Sequence, residues 1–151
     1  MINNIFEQLK RDEGFRANPY ICPGGALSVG YGHNLDAYAL EGEMYPMTIE
    51  RATELLTQDL SRNWTTFMLN NQHIEWAEIK DCYIRVLKNM SFQLGPAGLS
   101  KFKNMLAAMQ RDDLEAVIKH MKDSLWYKQT TNRAERLIKQ LRDPEITTVP
   151  F

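Results

Sequence analysis

The period of the apolar residues changes at Pro46, and this change constrains the fold more than any other feature of the chain. Upstream, Leu27, Val29 and Tyr31 alternate with Ser28, Gly30 and Gly32. They follow the run Tyr20-Ile21-Cys22 and a Pro23-Gly24-Gly25 turn. A period of two places successive side chains on opposite faces of a strand, so this segment predicts a small antiparallel hairpin. Downstream, every apolar stripe has helical spacing. The first runs through Ala52, Leu55, Leu56, Leu60, Trp64, Phe67 and Met68 behind Thr48 as N-cap, and predicts a helix of about 20 residues. Ile79, Cys82, Tyr83, Val86, Leu87 and Met90 form a second stripe. Phe102, Met105, Leu106 and Met109 form a third, with Ser100 as its cap, and Leu114, Val117, Ile118, Met121 and Leu125 a fourth. A last helix starts near Asn132 or the preceding threonines and holds Ala134, Leu137, Ile138 and Leu141, before Pro144 and a loose tail. At the other end, Ile2, Ile5, Phe6 and Leu9 predict a first helix stopped by Gly14, which leaves Glu13 at or just past its end.

The pattern predicts an α+β fold in a single domain of 151 residues. A small N-terminal lobe with a β-hairpin, about residues 13–46, is joined by the long helix to a larger all-helical lobe, about residues 48–142. The N-terminal helix, residues 2–12, is assigned to the helical lobe. At 44% hydrophobic and 25% charged residues the chain can bury one core, which excludes disordered and collagen-like classes. A formal net charge of −1 provides no global positive field for nucleic acid or an anionic surface. No apolar run approaches the roughly twenty residues of a membrane span, so membrane insertion is not expected. Cys22 and Cys82 stand sixty residues apart without metal-ligand spacing, and the N-terminus lacks a basic, apolar leader. Synthesis in a reducing cytoplasm is the expectation. His33, His73 and His120 are isolated from one another, so neither a metal nor another cofactor is expected.

The chemistry-bearing residues gather near the N-terminus. Glu13, Cys22 and Ser28 place a carboxylic acid, a thiol and a hydroxyl within sixteen residues. A helix ending at Glu13-Gly14 and a Gly/Pro-rich hairpin would aim all three into one cleft, an arrangement suited to acid-assisted hydrolysis. Strand alternation puts Ser28 on the face of Gly30 and Gly32, where the missing side chains leave space for a substrate. The plainer alternatives are a solvated carboxylate at a helix end for Glu13, a half-buried small hydrophobe for Cys22 and a hairpin hydrogen bond for Ser28. Cys82 falls on an apolar stripe and belongs to the core.

At Glu13-Gly14, Gly30-Tyr31-Gly32-His33, Ser91-Phe92-Gln93-Leu94-Gly95 and Trp126-Tyr127-Lys128-Gln129-Thr130-Thr131-Asn132-Arg133-Ala134, the chain resembles the T4-type phage lysozymes, the endolysins of glycoside hydrolase family 24. The motifs follow the family's order as far as about Arg142. The resemblance implies a small α/β lobe and a larger helical lobe with a glycan cleft between them. The family's catalytic glutamate, aspartate and threonine, separated by eight and five residues, fall here on Glu13, Cys22 and Ser28. By resemblance, Glu13 protonates the oxygen of the β-1,4 bond between N-acetylmuramic acid and N-acetylglucosamine, and Arg133 is the arginine that pairs with it. An arginine alone would lower the glutamate's pKa, so burial or a second acceptor has to compensate. His33 is expected to be structural, paired with a carboxylate. Phe92 and Gln93 fall where the family lines its cleft, and Asn104 and His120 where the helical lobe would meet glycan or peptide. Trp126 and Tyr127 are expected to anchor the last helices. Lys101, Lys103, Lys119 and Lys122 either meet peptidoglycan carboxylates or form a solvated face.

Two residues depart from the family pattern. Ser28 keeps the threonine's hydroxyl and loses a methyl group. Cys22 replaces an ionised aspartate by a thiol that is only a few per cent ionised near neutral pH. Three courses follow: inversion by a water held by Ser28 and Cys22, retention through a thiol-linked intermediate, or transglycosylation with Glu13 as sole catalyst. The resemblance implies a monomeric endolysin acting on peptidoglycan glycan strands, made in the host cytoplasm and released by a holin to the wall in the periplasm. A lytic transglycosylase and an inactive peptidoglycan-binding module are the alternatives.

Overall fold

The computed structural model describes residues 4–143. Ile2 and the tail from Pro144, both part of the reading above, lie outside them. The element order is helix α1 (Ile5–Glu13), strands β1 (Arg16–Ile21), β2 (Leu27–Gly30) and β3 (His33–Asn34), helix α2 (Ile49–Asn70), a 3-10 turn (Trp76–Glu78), and helices α3 (Asp81–Ser100), α4 (Lys103–Gln110), α5 (Leu114–Lys122), α6 (Leu125–Gln129) and α7 (Thr131–Arg142). This is the expected α+β lysozyme-like fold, with a small N-terminal sheet in a mostly helical chain. The chain divides into two compact units, one of which is Phe6–Arg62. The other holds Ile5 and runs from Asn63 onward, so α2 contributes to both.

In the first unit the three strands form an antiparallel sheet in the order β1-β2-β3. Tyr20 pairs with Ser28 and Ile21 with Leu27, and an irregularity separates these from the pair Arg16 and Gly30. The sheet has one strand more than the predicted hairpin. β3 is two residues long and pairs Asn34 with Ser28 and His33 with Val29, too short to carry a period of its own. Leu9, Val29, Tyr31, Met47, Ala52, Leu55, Leu56 and Leu60 are buried, the helical ones at the spacing that the stripe predicts. The Thr48 hydroxyl accepts from the Arg51 N–H at 3.1 Å and caps α2 as expected.

The second unit is built on a cluster that includes Phe67, Tyr83, Val86, Leu87, Met90, Leu99, Met105, Val117, Met121, Trp126 and Leu137. α3 is kinked at Gly95, whose φ of 76° is open to glycine and strained for other residues, and Pro96 follows. Two helix-boundary expectations fail here. Ser100 caps nothing downstream: it ends α3, donates its hydroxyl to the Pro96 carbonyl at 2.8 Å and accepts from the Asn71 amide at 2.9 Å. Leu125 does not continue the stripe of α5, because Ser124 caps a new helix by accepting from the Tyr127 N–H. Leu125 is consequently exposed, while Trp126 takes the core position. Cys82 is half-buried against the cluster, and burial pushes its thiol up.

Candidate active site

In the first unit α1 brings Glu13 to its last residue, where Gly14 turns the chain at φ 70° and donates its N–H to the Lys10 carbonyl. Glu13 is half-buried. It lies over the turn between β2 and β3: a methyl group placed on Gly32 would stand 3.2 Å from Glu13 Oε2. The same test at Gly30 meets Ala52 and the Met47 sulfur at 3.2 Å. The expected open space beside the two glycines is therefore absent. Both are small because other groups already fill the volume, and Gly32 is small because the carboxyl group of Glu13 is there.

Cys22 follows β1 and opens the turn, in which its N–H donates to the Ala26 carbonyl at 2.9 Å and its carbonyl accepts from Gly25 at 2.8 Å. Burial raises the thiol. The backbone of Ala26, the Ser28 hydroxyl and the backbones of Gly24 and Gly25 lower it by more, so the group ionises more readily than an ordinary cysteine. Ser28 is buried in β2, with its hydroxyl 3.4 Å from the Ala26 carbonyl. That contact is long, and donation to an ionised Cys22 is the stronger use of its single proton. The expected proximity of thiol and hydroxyl is present, and the hydroxyl serves the thiol.

No local pattern in the sequence singles out Tyr20. It stands directly across the sheet from Ser28, and the Arg16 guanidinium lies 4.7 Å from its ring centroid. Burial, Glu13 and Cys22 raise its phenol and Arg16 opposes them, so that it stays protonated above the ordinary range. Glu13 thus acts on the phenol from the end of α1 and Cys22 from the turn after β1. A tyrosine in a strand gives no local signal of this, because the signal lies in its cross-strand partner.

His33 is buried in the first unit between two acceptors. Nδ1 lies 2.8 Å from Asp59 Oδ2 and Nε2 lies 2.8 Å from the Tyr38 carbonyl. Both partners are acceptors, so the ring is satisfied in both contacts only as the doubly protonated imidazolium. Burial opposes that charge, but the hydrogen bonds outweigh it and raise the pKa. Asp59 also accepts from Arg62 at 2.9 Å, and the Arg62 guanidinium stacks 3.5 Å from the Tyr38 ring. A histidine raised on folding adds stability that is fully present below its unfolded pKa of about 6.5 and is lost as pH rises through the folded value. Wild type should therefore exceed His33→Gln by about 3–5 kcal/mol near pH 5.5. Denaturant unfolding should show the gap narrowing steadily towards pH 9.

In the second unit Arg133 opens α7, nearly buried, and donates from Nε to the Asn89 side-chain oxygen at 2.9 Å. Gln93 and Phe92 are half-buried on α3 just before its kink. The Gln93 carbonyl accepts from the Trp126 indole at 2.8 Å, which ties the third motif to the fourth. Asn104 is exposed near the start of α4 and His120 is partly exposed near the end of α5. Groups of three or more His, Cys, Asp or Glu able to hold a metal ion are absent from the described residues. None of the described helices is long and apolar enough to cross a membrane.

The family model for phage lysozyme matches residues 10–143. The chain belongs to the phage lysozyme family. It is 31% identical to the pre-baseplate central spike protein Gp5 of Enterobacteria phage T4, over 89% of this chain and 27% of the spike protein. It is 29% identical to the peptidoglycan hydrolase gp36 of Pseudomonas phage phiKMV, over 91% of this chain and 15% of that protein. A probable T4-type lysozyme of Dictyostelium discoideum is 27% identical, over 91% of this chain and 93% of its own length. The chain thus spans about a quarter or less of the two phage relatives and nearly all of the third.

Within this phage lysozyme the packing at Gly32 makes a direct prediction. Gly32→Ala adds a methyl group against the Glu13 carboxyl and forces a φ of 74° on a residue with a Cβ. The backbone term is about 1–2 kcal/mol. If the Glu13 carboxyl takes part in the chemistry, its displacement should lower kcat by about 10²-fold, since a misplacement near 1 Å is worth that much. Steady-state kinetics beside thermal unfolding would separate the two, with kcat falling far more than the modest loss of stability explains.

Proposed function

We propose that this chain is a glycoside hydrolase that cleaves the β-1,4 bond between N-acetylmuramic acid and N-acetylglucosamine in bacterial peptidoglycan. Glu13 is the general acid: it gives its proton to the glycosidic oxygen as the bond to the anomeric carbon breaks and the electron pair leaves with that oxygen. Cys22, as a thiolate, stabilises the positive charge developing on the sugar and receives a proton from the attacking water. The Ser28 hydroxyl holds Cys22 in its ionised form. Arg133 and His33 are support residues, and Phe92, Gln93, Asn104 and His120 are the proposed contacts to glycan or peptide. The observation that carries this reading is that one compact unit holds both groups, the Ser28 hydroxyl beside the Cys22 thiol and the Glu13 carboxyl at the end of α1 against Gly32.

Two relatives are much longer chains, one named as a peptidoglycan hydrolase and one as a pre-baseplate central spike protein, and this chain matches 15% and 27% of their lengths. For a chain of this family acting alone we propose a monomer that degrades the host wall in the periplasm after passage through a holin. Mass spectrometry of soluble products from purified Gram-negative sacculi in ¹⁸O-labelled water tests the chemistry. Labelled reducing muramic ends are expected. Unlabelled anhydro-muramic ends would make the chain a lytic transglycosylase, the course that a cysteine in the aspartate's position favours. Binding to sacculi without any product would leave a wall-binding module.

A further inference from the structure

We propose that Asp36 is a positioning residue for Cys22: its carboxylate holds the peptide group between Ala26 and Leu27 in the orientation that closes the Cys22 turn. This inference rests on the catalytic reading of Cys22 above, and on contacts that all lie within the first unit.

The contacts form a short relay. Asp36 Oδ2 accepts from the Leu27 N–H at 2.9 Å. That N–H and the Ala26 carbonyl belong to one trans peptide group, whose planarity makes them point in opposite directions. On the far side the Ala26 carbonyl accepts from the Cys22 N–H at 2.9 Å. The peptide plane is therefore gripped from both sides, by Asp36 on one and by Cys22 on the other. A carboxylate at the N–H also polarises the group and makes its carbonyl a stronger acceptor.

The sheet leaves this N–H for Asp36 to take. Where the ladder of β2 and β3 runs out, the Leu27 carbonyl accepts from the Leu35 N–H at 2.8 Å. In a continued ladder the Leu35 carbonyl would accept the return bond from Leu27. β3 stops at Asn34 instead, and the chain turns: the Asn34 side-chain oxygen accepts from the Ala37 N–H and its carbonyl from the Tyr38 N–H, both at 3.0 Å. This turn brings Asp36 back to Leu27, and its far end is tied down where His33 meets the Tyr38 carbonyl. The groups that favour the ionised thiol flank the pinned plane, with the backbones of Gly24, Gly25 and Ala26 before it and the Ser28 hydroxyl after it. Freedom at that plane would spread to every donor the thiol uses. Asp36 itself is exposed, so its replacement leaves the core untouched.

The test is Asp36→Ala and Asp36→Asn in the full chain, with alkylation of Cys22 by iodoacetamide followed against pH. Mass spectrometry of the Cys22 peptide separates it from Cys82. Tyr20, the titratable group across the sheet from Ser28, is unchanged in every variant. Asp36→Ala is expected to raise the alkylation midpoint by about half a pH unit, a fraction of one hydrogen bond. kcat near neutral pH should then fall about threefold, in step with the thiolate fraction. Asp36→Asn keeps an acceptor for the Leu27 N–H and should stay close to the native midpoint. The sign is decisive, because losing a negative charge with no change at the turn would lower the midpoint. A lowered or unmoved midpoint in folded Asp36→Ala overturns the proposal, and so does an equal rise in Asp36→Asn. If Asp36→Ala does not fold, Asp36→Ser, whose side chain is too short to reach Leu27, should show the rise, and its absence would overturn the proposal. Alkylation involves no peptidoglycan, so the midpoint reports on Asp36 whether or not Cys22→Ala shows the thiol to be catalytic.

Discussion

Glu13→Gln is expected to reduce kcat by 10² to 10⁴-fold while circular dichroism and the unfolding midpoint stay close to those of the native chain. The amide has nearly the same shape as the carboxylic acid and can fill the same space against Gly32. It cannot supply a proton to a departing oxygen. The difference corresponds to about 3–5 kcal/mol of transition-state stabilisation. Substrate binding should survive, so pull-down on sacculi should be unchanged where turbidity clearing is lost. Undiminished clearing by the variant would remove Glu13 from the mechanism, and Cys22 would have to be reconsidered as a nucleophile acting without an acid.

The parts of the fold legible in the sequence are those whose signal is summed over many residues. The stripe from Ala52 to Phe67 repeats over a helix of 22 residues, and one irregular position does not obscure it. β3 offers two residues and no repeat, so it becomes visible only through its pairing with β2. Ser100 and Ser124 are both serines at helix boundaries. Whether each serves the end of one helix or the start of the next is decided by its partners, Asn71 and Pro96 for one and the Tyr127 N–H for the other. Side-chain volume is equally non-local. Gly30 and Gly32 read as space in a one-dimensional pattern, but Ala52, Met47 and Glu13 arrive from elsewhere in the chain to occupy it. At the site, the types and spacing of Glu13, Cys22 and Ser28 pointed to the acid and thiol chemistry. The lowered pKa of the Cys22 thiol depends on the turn at Gly24-Gly25-Ala26 and on the Ser28 hydroxyl, which only the folded chain brings together.

Cys22 is the position where substitution should be most revealing. If its thiolate assists the reaction, Cys22→Ala should lower kcat by on the order of 10²-fold, whereas an unchanged rate would make it a spacer. Cys22→Asp should preserve or raise activity, because a carboxylate can accept from the same turn backbone and from Ser28. The two chains should then differ most in acid. On that reading wild-type activity should fall as pH drops through the thiol's pKa, which lies below that of an ordinary cysteine. An aspartate, with an ordinary pKa near 3.9, stays ionised well below that point. The ratio of Cys22→Asp to native activity should therefore climb steadily as pH falls below the thiol's pKa, while the limb set by Glu13 stays in place. A ratio independent of pH would mean that ionisation of Cys22 does not limit the reaction, and the site would then run on Glu13 alone, as a transglycosylase does.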